Sequence, residues 1–236
     1  MKACLLADIH ANLTALKAVL AHVRAKYGKG LPVFHLGDAI DYGMRPNETI
    51  RVLQTLVPSL LCNIRGNHEM ALRGVQDDRF SSQRGRDANE FTRAILDANA
   101  EAFIDSMSPD PVRLSCDGKS VLCIHGDLHD PYWGKMGDSE MLAPEYRGID
   151  FVFSGHTHIP CLKCIVDKAS RCKTLFVNPG SVGQPRNANP SAQYAVVDFA
   201  SGMVSFECVP YDIAVEQQLF GGEIHPYYKE RLSYGI

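Results

Sequence analysis

Short apolar segments alternate with helical segments over the first 64 residues, and this order limits the possible folds more than any other feature of the chain. The apolar segments are residues 2–7, 32–36 and 60–64. A helix is predicted from Asn12, a good capping residue, to Gly28, and a second from Pro46 to about Leu56. Parallel neighbouring strands need a crossover between them, which a helix normally supplies. The β-α-β-α-β order therefore predicts a largely parallel sheet with right-handed crossovers.

The rest of the chain is predicted to be helical first and then rich in strands. Residues 68–107 are mostly helical and include a polar stretch, 76–89. Further strands are predicted over residues 112–116, 120–124, 150–154, 162–166, 173–177, 193–199 and 203–209, with a turn at 167–171 and a last helix over 211–220. This order predicts an α/β fold with two packed sheets and helices outside. No linker divides the chain, so we expect one domain over residues 1–236.

The composition excludes several classes of protein. Hydrophobic residues make up 45% of the chain and charged residues 22%, which is typical of globular proteins. The formal net charge of −3 leaves no basic excess, so bulk binding to nucleic acid is not expected. No apolar run approaches the ~18 residues that span a bilayer, and the N-terminal segment is too short for a secretion signal. With eight cysteines scattered mainly in apolar stretches, these features favour a cytoplasmic protein without a membrane partner.

Side chains able to bind metal stand where five of the predicted strands end. They are Asp8 and His10 after the first strand, Asp38 and Asp41 after the second, Asn67 and His68 after the third, His125 after strand 120–124, and His156 and His158 after strand 150–154. Residues at i and i+2 of a strand point the same way, so Asp8 and His10 can reach one point. Ligands gather at the carboxyl ends of strands in α/β sheets, so all five groups are expected to converge.

The residue types in this set predict the chemistry. Carboxylates, imidazoles and an Asn carbonyl suit zinc or another transition metal, and no cysteine takes part. Seven ligands drawn from these nine side chains would already be too many for one ion, whereas two ions that share a carboxylate fit. Two metals ~3.5–4 Å apart can support an in-line displacement at phosphorus. The set therefore predicts a two-metal site for phosphoester hydrolysis.

The five groups also form an ordered series of motifs. In chain order they read Asp8-x-His10, Gly37-Asp38-x-x-Asp41, Gly66-Asn67-His68-Glu69, His125 and Gly155-His156-x-His158. This series resembles the calcineurin-like metallophosphoesterase superfamily, and residues 178–186 (NPGSVGQPR) resemble its small, single-domain prokaryotic branch. The resemblance implies an αββα sandwich of two mixed sheets flanked by helices. It also implies two sets of metal ligands, which are Asp8, His10 and His158 for one ion and Asn67, His125 and His156 for the other, with Asp38 as the bridge.

The same resemblance implies catalytic roles for two residues beside the metals. His68 would face the leaving-group oxygen as a general acid, and Asp41 would pair with His68 and fix its ring. A leaving alkoxide needs a proton, and a carboxylate behind a histidine keeps that histidine protonated. The implied reaction is in-line attack on phosphorus by a hydroxide that bridges two divalent transition-metal ions. Manganese is the favoured metal, and iron, zinc, cobalt and nickel suit the same ligands.

Two departures from the family pattern bear on the loops and the substrate. Many relatives have Gly at the position of Ala11, so the first loop is expected to be tighter here. Related protein Ser/Thr phosphatases have Arg directly after the second Asp of the GD-x-x-D block, where this chain has Tyr42. A dianionic monoester favours such a bidentate cation, so Tyr42 favours a small-molecule or nucleotide phosphodiester as the substrate. Arg65 and Arg186 are candidates to replace the missing cation.

Two alternative functions stay open. One is a phosphomonoesterase, either a protein phosphatase or a dinucleoside-polyphosphate hydrolase, and Tyr42 counts against the protein phosphatase only. The other is a non-catalytic scaffold, since the superfamily includes scaffold subunits of the same fold that have lost catalytic positions. Here the complete set of candidate ligands disfavours a scaffold. The oligomeric state is not predicted.

Three further features receive ordinary interpretations. Cys161 and Cys164 form a C-x-x-C with Cys172 nearby, but on a strand the first two point to opposite faces, so a β-hairpin is favoured over a zinc or redox site. The polar stretch 76–89 is interpreted as solvated surface, with a border of the site as the alternative. The aromatic segment 129–133 either walls a substrate pocket or packs its loop onto the body.

Overall fold

The computed structural model describes residues 1–167 and 171–236. Its strands are β1 (Lys2–Leu6), β2 (Val33–His35), β3 (Leu60–Asn63), β4 (Val112–Cys116), β5 (Lys119–Cys123), β6 (Phe151–Phe153), β7 (Cys161–Val166), β8 (Lys173–Asn178), β9 (Ala192–Asp198) and β10 (Met203–Val209). Its helices are α1 (Leu13–Tyr27), α2 (Pro46–Gln54), α3 (Asn67–Leu72), α4 (Gln83–Ile95), α5 (Ala98–Ser106), α6 (Asp138–Met141), α7 (Ile213–Gln217) and α8 (Tyr227–Glu230). The predicted strands are all found, whereas the turn expected at 167–171 includes residues 168–170, which lie outside the described residues. None of these helices is both long and apolar enough to cross a membrane.

The first sheet has the strand order β10-β9-β1-β2-β3. β1 is parallel to β2, with Leu5 opposite Phe34, and β2 is parallel to β3. On the other side of β1 lie β9 and β10 as antiparallel strands, with Lys2 opposite Asp198. The parallel sheet predicted for the first 64 residues is therefore completed by strands from far along the chain.

The second sheet has the order β4-β5-β6-β8-β7. Its three central strands β5, β6 and β8 are parallel, and β4 and β7 join as antiparallel edges. Both sheets are thus mixed and five-stranded, with helices flanking them. This confirms the predicted α/β fold of two packed sheets.

Alternating side chains along β1 connect the two sheets to the helices. Leu5 lies in a buried cluster between the sheets together with Phe34 and Phe153, whose ring centroids are 5.2 Å apart. Cys4 and Leu6 point the other way and pack in a second cluster with side chains of α1 and α2. Because both faces of β1 are buried, the loop that follows β1 starts from a fixed position.

The last predicted helix is wrong in its length. It was expected over 211–220, but α7 covers only Ile213–Gln217. Beyond α7, Phe220 packs into a cluster with Tyr42 and Tyr228 instead of continuing the helix. This packing places α8, which the sequence analysis does not predict, against the loop that follows β2.

Candidate metal centre

Loops at the carboxyl ends of β1, β2, β3, β5 and β6 bring the seven predicted ligands together. One group consists of Asp8, His10, Asp38 and His158, whose donor atoms all lie within 4.8 Å of one another. The second group consists of Asp38, His125 and His156, under the same distance limit. Asn67 joins the second group, since its Oδ1 lies 3.1 Å from Nε2 of His125 and 3.0 Å from Nδ1 of His156. Asp38 is the member that both groups share.

The loops that carry these residues have a strained backbone. Five of the seven residues have a positive φ, between 48° and 65°: Asp8, His10, Asp38, His156 and His158. Non-glycine residues adopt this region rarely, and such strain persists at functional sites when the surroundings over-determine the conformation. Here, backbone hydrogen bonds between neighbouring loops hold the strained conformation. One of them runs from the Asp8 N–H to Gly37 O at 3.0 Å. Ala11 also has a positive φ, 52°, which is the physical reason why Gly suits its position.

Glu69 fixes the loop after β2 through hydrogen bonds to its backbone. Its buried carboxylate accepts hydrogen bonds from the backbone N–H groups of Asp38 at 2.9 Å, Ala39 at 2.8 Å and Gly66 at 2.8 Å. Burial, and then the nearby Asp38 charge, raise the pKa of Glu69 to about 7. The sequence analysis includes Glu69 in a motif without assigning it a role, because its partners are backbone groups that a motif does not show.

The histidine tautomers show that the first group fits a cation. Nδ1 of His10 lies 3.0 Å from Ile40 O and Nδ1 of His158 lies 2.6 Å from Gln184 O. A carbonyl only accepts hydrogen bonds, so each Nδ1 carries the proton. Burial lowers the pKa of both rings, so they are neutral and each Nε2 presents a bare lone pair. These two Nε2 atoms nevertheless lie 3.1 Å apart, an arrangement that a cation between them would satisfy.

An unpaired carboxylate oxygen points to the same conclusion. Oδ2 of Asp8 is fully buried and has no hydrogen-bond partner, and burial raises the pKa of Asp8 to about 7. In the second group, Nε2 of His125 lies 3.1 Å from Oδ2 of Asp38. Burial alone would lower the pKa of His125, but Asp38 outweighs burial and raises it to about 9. A metal ion would replace that proton, as metal binding to histidine generally does.

His68 and Asp41 form a hydrogen-bonded pair beside the two groups. Nδ1 of His68 lies 2.6 Å from Oδ2 of Asp41, and the Asn89 amide donates to the same oxygen at 2.7 Å. Burial acts to lower the pKa of His68, but the Asp38 and Asp41 charges overcome it and raise the pKa. The pair therefore favours the protonated form of His68 and holds its ring in one orientation. Asn89 lies in the stretch that the sequence analysis interprets as solvated surface.

The three predicted substrate contacts have different surroundings. Tyr42 and Arg186 line a cavity of ≈ 550 Å³ that opens onto Asp38, Asn67, His68, His156 and His158. Arg65 does not line it, because its guanidinium donates to the carbonyls of Ile104 at 3.0 Å and Asp105 at 2.9 Å. Its adjacency to Gly66 in sequence therefore does not place its charge at the site.

Cationic and aromatic side chains form most of the remaining cavity wall. They are Arg79, Arg84, Lys135, Arg231, Phe80, Trp133, Tyr227 and Tyr228. Within stretch 76–89, Arg79 and Arg84 are exposed and also line the cavity, and Phe80 is buried in its wall. This part of the stretch therefore borders the site, which is the alternative to plain solvated surface. The Trp133 ring meets Phe80 edge to face at 5.2 Å, so segment 129–133 forms part of the wall. Arg231 and Tyr228 belong to no motif, and the only signal for them in the sequence is a Tyr-Tyr pair three residues before an Arg.

The C-x-x-C forms no metal cluster among the described residues. Cys161 is half-buried and Cys164 exposed on β7, and β7 pairs with β8 as an antiparallel hairpin. Neither they nor Cys172 belongs to a metal-ligating group in the described part of the chain.

Comparison with known proteins places the chain in a family. The profile of the calcineurin-like phosphoesterase superfamily domain matches residues 1–202. An uncharacterised protein of Methanocaldococcus jannaschii is 31% identical over 227 residues, which cover 88% of this chain and 87% of that protein.

Solved structures agree with this assignment. A metallophosphoesterase from Sphaerobacter thermophilus is similar over 100% of both chains, with a TM-score of 0.80 and 28% identity. A hypothetical protein from Pyrococcus horikoshii shares the fold over 100% of this chain and 98% of its own, with a TM-score of 0.85 and 18% identity. The chain therefore belongs to the calcineurin-like phosphoesterase superfamily.

Proposed function

We propose that the protein is a phosphodiesterase that uses two divalent transition-metal ions. Asp8, His10 and His158 would hold one ion, and Asn67, His125 and His156 the other, with Asp38 between them. The observation that carries this proposal is the pair of donor groups that share Asp38, each within 4.8 Å. Superfamily membership supports a hydrolase acting on phosphoester bonds. Manganese is the first ion to test, and iron, zinc, cobalt and nickel suit the same donors.

The ions would lower the pKa of a water molecule and offset the negative charge of the phosphate oxygens. The backbone of this chain then fixes where the donors stand. Nδ1–H bonds to carbonyls orient three rings, those of His10, His125 and His158. Such bonds raise the basicity of the ligand nitrogen and limit the motion of the ring.

His68 is the proposed proton donor to the leaving group. Water oxygen forms the new bond to phosphorus, the bond to the leaving oxygen breaks, and that oxygen takes the electron pair. Nε2 of His68 gives it a proton, while Asp41 holds Nδ1 at 2.6 Å. Asp41 stabilises the charged ring before transfer and orients it, as a carboxylate behind a general acid does.

A diester is the proposed substrate class because of the surroundings of Tyr42. Its ring stacks on Tyr228 at 4.4 Å and 15°, and it lies 4.4 Å from the His68 ring. An aromatic side chain thus occupies the position where related protein phosphatases carry an arginine. A dinucleoside polyphosphate is the second candidate, favoured by the positively charged cavity wall.

Hydrolysis of bis(p-nitrophenyl) phosphate and p-nitrophenyl phosphate with added Mn²⁺ tests the proposal. We expect faster turnover of the diester, and a loss of roughly 10²-fold or more in Asp38→Asn. Arg24→Gln, an exposed change on α1, is the matched control and should keep the wild-type rate. Equal turnover in wild type and Asp38→Asn would overturn the metal assignment. Absence of both turnover and bound metal would favour a scaffold.

A further inference from the structure

Asn89 is a buried amide on a helix face that is otherwise made of small side chains. The buried positions of α4 are Gly85, Ala88, Asn89 and Thr92, which form one stripe at helical spacing. Asn89 itself is only 3% exposed. An amide at such a position is costly to bury unless it is hydrogen-bonded, so its partners show what it does there.

The amide nitrogen of Asn89 bonds both members of the pair formed by Asp41 and His68. Nδ2 donates to Oδ2 of Asp41 at 2.7 Å and to the backbone O of His68 at 3.3 Å. Oδ2 of Asp41 also lies 2.6 Å from Nδ1 of His68. These three bonds close a loop that joins the carboxylate to the imidazole and to the backbone of the same histidine, so no member turns without breaking a bond.

Arg93, one turn further along α4, fixes which way this amide points. Its Nη2 donates to Oδ1 of Asn89 at 3.5 Å and to Ala71 O at 2.9 Å. A guanidinium only donates hydrogen bonds, and the carboxylate and carbonyl oxygens that face Nδ2 only accept them, so the amide has one satisfied orientation. In this way α4 holds Asn89 against α3, the helix that carries His68.

Asp41 depends on this amide to keep its position. The carboxyl group is fully buried, and its Oδ1 has no hydrogen-bond partner within the described ranges. Oδ2 alone therefore meets the side chains of Asn89 and His68. Without the amide, a buried charge would keep one side-chain donor, and the carboxylate would be free to exchange its two oxygens. Removing one partner of a buried charged group costs more than the bond itself.

We propose that Asn89 is a positioning residue that acts on the leaving group through Asp41 and His68. This inference rests on the proposed function, in which Nε2 of His68 gives its proton to the leaving oxygen as the bond from phosphorus to that oxygen breaks. Asn89 does not line the cavity over the metal centre, so its effect on the reaction passes through the orientation of the His68 ring. Loss of the amide therefore slows proton delivery while substrate binding is kept.

Two aryl esters of thymidine 5′-phosphate test this role. The p-nitrophenyl and phenyl esters release the same nucleotide, but phenol is the poorer leaving group and depends more on a proton. With Mn²⁺ in excess, the release of thymidine 5′-phosphate is followed by chromatography. Asn89→Leu keeps the approximate shape of the side chain and removes the donor. We expect kcat for the phenyl ester to fall by about tenfold to a hundredfold, with a much smaller fall for the p-nitrophenyl ester and an unchanged KM for both.

A double-mutant cycle separates positioning from general damage. In Asp41→Asn the carboxylate that Asn89 holds is gone, so adding Asn89→Leu should change the phenyl-ester rate by less than about twofold. Losses that multiply instead would overturn the inference. Thr92→Val is the matched control, because it is a buried change of similar shape on α4, at a side chain whose Oγ1 has no hydrogen-bond partner in the described part of the chain. It should keep both rates.

The outcomes separate this inference from the proposed function. If Asn89→Leu slows both esters equally or neither, positioning through His68 is excluded while the phosphoesterase stands. If wild type cleaves only the p-nitrophenyl ester, no proton reaches the leaving group and the inference falls. If it cleaves neither ester nor bis(p-nitrophenyl) phosphate, the proposed function fails, and this inference with it. Should thermal unfolding show that Asn89→Leu does not fold, Arg93→Ala at an exposed position decides, with an expected loss of about two- to tenfold on the phenyl ester alone.

Discussion

Oδ2 of Asp41 lies 2.6 Å from Nδ1 of His68, and the Asn89 amide donates to that same oxygen. This pair directs the other nitrogen of His68 toward the cavity. We expect His68→Ala to slow hydrolysis of an alkyl ester roughly 10²–10⁴-fold, because the alkoxide then leaves without a proton. The loss should be much smaller for p-nitrophenyl esters, whose leaving group needs no proton. Steady-state rates with both esters measure this, with His22→Ala on α1 as control, and equal losses would contradict a general acid.

The shared position of Asp38 predicts how metal is lost. Asp38→Asn should weaken the binding of both ions. His10→Ala and His156→Ala should each weaken the binding of one ion, because the two histidines belong to different donor groups. Metal content after dialysis, measured by mass spectrometry, should read about two equivalents in wild type and about one in each histidine variant. Retention of two equivalents by Asp38→Asn would contradict the bridging role.

The close approach of Gly66 to Asp38 gives a test that substitutes none of the candidate ligands. A Cβ at Gly66 would stand 2.1 Å from Oδ1 of Asp38, so Gly66→Ala must move that carboxylate. We expect weaker metal binding and a loss of activity larger than any loss of stability. Gly118→Ala is the control, since Gly118 has a φ of +75° and open space around it. It should lower the free energy of unfolding by about 1 kcal/mol without changing metal affinity.

Acid should destabilise the metal-free protein through His35. Burial lowers the pKa of His35 to about 4 from its ordinary 6.5. Between these two pH values, His35 is protonated in the unfolded chain and neutral in the folded protein. Stability therefore falls as the pH drops from 6.5 toward 4, by roughly 3 kcal/mol from this residue. Denaturant unfolding in EDTA at several pH values should show a flatter dependence for His35→Gln. If stability depended on pH equally in wild type and His35→Gln, His35 would be excluded as the cause of the acid destabilisation.

The fold could be predicted largely because local patterns agreed with the final topology. Short apolar segments bounded by turn residues, together with capped helices between them, placed every strand to within a few residues. What the patterns did not show is that β9 and β10 join the first sheet beside β1, since strand order depends on contacts between distant segments. The end of α7 was missed for the same reason, as Phe220 leaves the helical path to pack on Tyr42.

The convergence of the candidate ligands could be predicted, while the cavity wall could not. Strand ends in a parallel sheet lie at one edge, and this rule brings Asp8 and Asp38 together in the first sheet and His125 and His156 together in the second. The packing of the two sheets then brings these two edges to one place. No such rule directs Arg65 toward or away from the site, and its side chain is held by the carbonyls of Ile104 and Asp105 in α5. Arg231 follows no motif, and only the packing of α8 against Tyr42 brings it to the cavity.

The position of β1 in the middle of its sheet has a consequence for synthesis of the protein. Lys2 pairs with Asp198, so the ribosome must pass β9 before β1 gains its second neighbour. Until then β1 is an open edge on the growing chain, and the loop that carries Asp8 and His10 lacks the support of Gly183, whose N–H bonds Asp8 O at 3.1 Å. A nascent chain that stops short of these strands would thus lack part of the backbone support of the candidate metal centre.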